Sequence, residues 1–137
     1  MNSIINNCKA ICALIGGVLG WFLGGFDTLI YALIAFVSID YITGVWLAIL
    51  EKNVSSDIGF KGISKKVMIF VLVALGNIID QLVIGSGSTL RCMLIMFYLS
   101  NEGISIIENA GKMGLPLPQK LKEALQKLGN SDADKRQ

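Results

Sequence analysis

Apolar residues along this chain gather into four blocks separated by short polar connections. The blocks are 10–26 (AICALIGGVLGWFLGGF), 28–50 (TLIYALIAFVSIDYITGVWLAIL), 67–84 (VMIFVLVALGNIIDQLVI) and 92–110 (CMLIMFYLSNEGISIIENA). At about 1.5 Å per helical residue, block 28–50 is amply long for a hydrocarbon core about 30 Å thick. Block 10–26 is uncharged but glycine-rich and only just spans. The pattern therefore allows four spans or three; with three, the first block lies flat and the N-terminus changes side. After Pro116 and Pro118 the chain reads QKLKEALQKL, with Leu117, Leu121, Ala124, Leu125 and Leu128 at helical spacing. Pro118 suits a first helical turn and Gly129 a stop, which predicts a short amphipathic basic helix.

Composition turns these blocks into a fold class. Of 137 residues, 53% are hydrophobic and only 16% charged, and the mean hydropathy is +0.64. That is too little polar material to coat a soluble domain of this size. The chain is expected to be an all-α integral membrane protein with three to four transmembrane helices and a C-terminal amphipathic cytoplasmic helix. Residues 1–113 form the transmembrane domain, 114–129 the basic helix, and 130–137 a disordered tail.

Charge supplies the topology. Lys52, Lys61, Lys65 and Lys66 separate the second and third blocks, Lys9 precedes the first, and Lys112 to Arg136 follow the fourth. With both termini in the cytoplasm, every basic residue except Arg91 lies inside, as the positive-inside rule requires. Lys61, Lys65, Lys66, Lys120, Lys122 and Lys127 are expected at the membrane surface, facing anionic headgroups. The basic start is a single lysine and WFLGGF offers no small-x-small cleavage site, against a cleaved signal peptide. A net charge of +2 implies no attraction to nucleic acid.

Catalytic chemistry finds little to stand on. There is no histidine, hence neither the commonest general base nor the commonest metal ligand. The loop EKNVSSDIGFKGISKK lacks phosphate-binding spacing, and no nucleophile–base pair, metal cluster or dinucleotide motif appears. No enzyme activity, metal or cofactor is expected.

The polar residues inside the blocks are the informative ones. Asp40 and Glu102 fall near the bilayer midplane, Asp80 nearer the outer surface and Glu108 nearer the inner one. A charge at the midplane costs about 2.5–3.5 kcal/mol on insertion scales. All basic residues read as lying outside the spans or at their edges, so no cation is expected at that depth. The carboxyls are then either protonated and bonded to Thr43, Ser105 or Asn109 across helices, or they face water. On a helical wheel Tyr98, Asn101, Glu102, Ser105, Glu108 and Asn109 fall within an arc of about 120°. Such a stripe suits a continuous wet surface shared by several copies, as in a pore wall. Gly16, Gly20 and Gly24, at i, i+4, i+8, form a small-residue face for close helix packing, within a protomer or between protomers.

Taken in order, IDYITGVWLAI (39–49), GFKGISKKV (59–67) and NEGISIIENAGKMGLPLPQKLKEAL (101–125) resemble the toxin-secretion and phage-lysis holin family of Gram-positive phages and clostridial toxin loci. The resemblance covers about residues 28–128. It implies a protein that assembles with itself in the cytoplasmic membrane, opens lesions, collapses the membrane potential, and releases an endolysin or a secreted toxin. Two alternatives stay open on the residues alone: a small proton- or ion-coupled transporter using Asp40 and Glu102 as relays, and a non-pore antagonist of a holin.

Overall fold

The structure, a computed structural model, describes residues 1–130; the predicted tail from 131 onward lies outside the described residues. Five α-helices follow one another: α1 (Asn2–Leu23), α2 (Thr28–Leu50), α3 (Ser56–Ile78), α4 (Thr89–Lys112) and α5 (Gln119–Asn130). A π-helical segment, Ile79–Ile84, continues α3. Four helices are long and apolar enough to cross a membrane: α1, α2, α3 with its π extension, and α4. The protein is an all-α, multi-pass membrane protein.

Local chemistry sets the helix ends. Asp27 caps α2 by accepting a bond from the Ile30 amide at 3.0 Å, and Ser55 caps α3 through the Ile58 amide at 3.2 Å. The second cap starts the helix well before the apolar block at 67. Ser55 and the first-turn Asp57 start the helix at Ser56, so Lys61, Lys65 and Lys66 ride on α3 rather than on a loop. The first helix likewise begins eight residues earlier than the apolar block, at Asn2.

The core sits among α2, α3 and α4. Ile30, Leu33, Val37, Ile69, Val73, Ile95 and Leu99 pack there, and Leu23 at the end of α1 joins them. Gly76 is where α3 and α4 approach closely: a Cβ there would stand 2.6 Å from Leu94 and 3.4 Å from the α4 backbone. The rest of α1 is nearly all exposed, with Ile4, Ile11, Leu14, Ile15 and Val18 open to the surroundings. In lipid that costs nothing, since the tails are as apolar as the side chains. From the turn at 113–118, where Gly114 adopts φ 91°, α5 folds back and packs on α4.

Candidate intramembrane polar site

Asp40, Lys66 and Glu102 each stand ten residues from the same end of the bundle: before Leu50, after Ser56 and before Lys112. A helix rises about 15 Å over that distance, so the three side chains share one depth. There the Lys66 Nζ donates to Asp40 Oδ2 at 2.6 Å and to Glu102 Oε2 at 2.6 Å. The side chains are 15%, 13% and 11% exposed, which makes this an internal ion cluster. No cation was expected beside these acids; the Ser55 cap, by starting α3 at Ser56, puts Lys66, one of the lysines expected to face headgroups, on a helix that sets it against them.

The cluster continues through amide and hydroxyl groups. Asn109 Nδ2 donates to Asp40 Oδ1 at 3.2 Å and to Thr43 Oγ1 at 3.0 Å. Thr43 in turn donates to the Ile39 carbonyl at 2.8 Å. With its three ions charged, the cluster holds two carboxylates on one ammonium. A groove of about 750 Å³ opens beside it between α2, α3 and α4, its wall including Tyr41, Gly44, Ile63, Ser105 and Asn109.

The α4 stripe is therefore graded across its width. Its inner edge, Glu102 and Asn109, turns into the protomer. Tyr98 and Ser105 are half-buried along the middle. Its outer edge, Asn101 and Glu108, is exposed. Asn101 and Glu108 lie seven residues apart, two turns along one side of the helix.

Asp80 belongs to a second polar centre at the opposite end of the bundle. It is fully buried, and its carboxylate accepts from the backbone amides of Leu90 at 3.1 Å and Arg91 at 2.9 Å. Those are orphan donors of α4's first turn, where the N-terminal dipole favours a negative charge. Ser88 at the cap position supplies no side-chain capping bond of its own. Arg91, only 2% exposed, grips Asp27 with two nitrogens at 2.7 and 3.0 Å. It also donates to the carbonyls of Leu23 and Gly25. Asn77 Nδ2 bonds the carbonyls of Trp21 and Phe22, both at 3.2 Å, which satisfies the end of α1. The hydrogen bond to Arg91 is the main cause that holds the Asp27 carboxyl below its ordinary value. Sequence reasoning missed Arg91 as a clamp, and the only signal was its isolation from every other cation.

The three glycines of the small-residue face part company. Gly24 is the left-handed C-cap of α1, φ 81°, pressed on Asn77 and Arg91, so its role is at the turn. Gly20 packs on Phe26, whereas nothing lies within 4 Å of a Cβ built on Gly16.

A profile of the bacteriophage holin family matches residues 17–130. This chain belongs to the bacteriophage holin family. Among its relatives, an uncharacterised 14.9 kDa protein of the nagH 3' region of Clostridium perfringens is 38% identical over 130 residues, covering 95% of this chain and 98% of the relative. The uncharacterised Lin0175 of Listeria innocua is 43% identical over 110 residues, with 80% of this chain and 78% of the relative covered. YtkC of Bacillus subtilis, also uncharacterised, is 31% identical over 111 residues, 81% of this chain and 82% of its own. No solved structure matches this holin-family chain. The matched region takes in the ion cluster, the whole stripe and α5.

Proposed function

We propose that this holin-family protein assembles with itself in the bacterial cytoplasmic membrane, C-terminus inside, and opens lesions that dissipate the membrane potential. Its cargo is an endolysin or a secreted toxin. One observation carries the reading beyond family membership: Asn101 and Glu108 stand exposed on the outer edge of a membrane-spanning helix. A carboxylate or amide cannot rest against lipid tails without cost, so that edge calls for a neighbouring protomer or for water. The inner edge needs neither, because Lys66 and Thr43 satisfy it. The protomer thus hides the inner edge of its stripe, and the outer edge is the surface on which copies meet and the lesion opens.

Glu108→Leu should leave the protomer intact and delay lysis, since it makes the meeting edge fit for lipid. Lysis timing on induction, at equal accumulation in the membrane, checks this; unchanged timing sinks the outer edge as the functional surface.

A further inference from the structure

Helix α5 is packed at a depth where its own charges do not belong. Leu125, 8% exposed, lies over Gly103, whose Cβ would stand 2.9 Å from it. Ser100 donates its hydroxyl to the Leu125 carbonyl. Leu117 closes on Gly111 in the same way, at 3.3 Å from a Cβ there. Small residues on one face of α4 are thus the seat of α5. Ser100 stands twelve residues from the end of α4 at Lys112, about 18 Å along the axis. In a core about 30 Å thick that is near the midplane.

The opposite face of α5 is charged. Lys120, Glu123 and Lys127 lie within about 40° of the point opposite Leu125 on the wheel, and all three are exposed. Lipid at that depth strongly disfavours each central lysine, less where the stem snorkels outward. At the membrane surface the same lysines are attracted to anionic headgroups. The seat of Leu125, Leu117 and one hydroxyl bond is set against both of these. Docked α5 is therefore compatible with a membrane only where its basic face meets water.

We propose that α5 docks on α4 as the lesion opens and forms part of its aqueous wall, with Lys120 and Lys127 facing the opening. In a closed protomer surrounded by lipid, α5 lies off α4 on the membrane surface, and the Gly114–Pro118 turn is the hinge. This rests on the lesion-forming reading and adds a second, basic lining to the polar edge of α4.

The test uses the full-length chain with Cys8, Cys12 and Cys92 replaced by serine and with Ser100→Cys and Leu125→Cys introduced. It is reconstituted into dye-loaded vesicles of phosphatidylcholine and phosphatidylglycerol, and a short thiol cross-linker is added before and during dye release. Cross-linking should rise several-fold as release begins. A high yield in tight vesicles overturns the proposal whether or not release follows, and so does a low yield in leaking ones. Absence of dye release from the unsubstituted chain contradicts the lesion reading itself and is seen separately from cross-linking. Because Leu125→Cys also weakens the seat, Lys120→Glu with Lys127→Glu supplies an independent check at exposed positions. In planar bilayers that pair should shift the reversal potential of the first small openings toward cation selectivity, and an unmoved reversal potential counts against the basic lining.

Discussion

Removing the ammonium of Lys66 would leave Asp40 and Glu102 facing each other inside the span with no cation between them. Breaking an internal ion pair by deleting one partner costs about 3–5 kcal/mol, and here one deletion strips two carboxylates. Lys66→Met should therefore lower the thermal midpoint in detergent by many degrees and reduce accumulation in the membrane. Asp40→Asn with Glu102→Gln in the same chain should recover most of the loss, since neutral amides need no counter-ion. A Lys66→Met chain as stable as the parent would show that the cluster contributes nothing to the fold. At the other end, Asp27 titrates outside the spans. Arg91 holds its carboxyl below the ordinary 3.8, so the stabilisation is complete above that value and is lost as pH falls through the lowered one. The Asp27 side chain is 47% exposed, and solvent screening keeps the effect small. Thermal midpoints should fall on acidification below about pH 4, less steeply in Asp27→Asn, whose midpoint is already lower at neutral pH.

Among the elements, α1 separates packing within the protomer from packing between protomers. Gly16 has open space where a side chain would go, while a Cβ on Gly24 would stand within 2.7 Å of Asn77 and Arg91, and its backbone is left-handed. Gly24→Ala should destabilise the protomer by about 1 kcal/mol or more from the backbone alone, read as a lower unfolding midpoint. Gly16→Leu should leave that midpoint unchanged and weaken self-association, read by cross-linking in membranes. Equal association in Gly16→Leu would remove the glycine face from the assembly surface. The same elements mark what the sequence could tell. Four long apolar blocks announce four helices, because hydropathy integrates over many residues. The start of α3 was hidden, because KGISKK is basic enough to read as surface while a single serine, Ser55, decides where the helix begins. The polar arc on α4 was legible from 3.6-residue periodicity. That its inner edge is closed by Lys66 was not, since the contact joins residues 36 positions apart. The cap that Asp80 gives α4 was invisible for the same reason: it comes from another helix.

At the scale of the whole molecule, the two polar centres divide the labour. The Arg91–Asp27–Asp80 centre ties the ends of α1, α2, α3 and α4 through an ion pair and through bonds to backbone carbonyls and amides. The Lys66 cluster links α2, α3 and α4 chiefly through side chains, beside an open groove, and the edge of α4 next to it is exposed. Opening is expected to start from that half of the bundle, with the Arg91 corner intact. The most direct measurement is induction of this gene alone in a bacterium, following membrane potential and the escape of a co-expressed cytoplasmic muralytic enzyme. A lesion-forming protein gives a delay, then an abrupt collapse of potential with release of the enzyme. Saturable, substrate-specific flux with the enzyme retained, or protection of the cell from lysis, would contradict it.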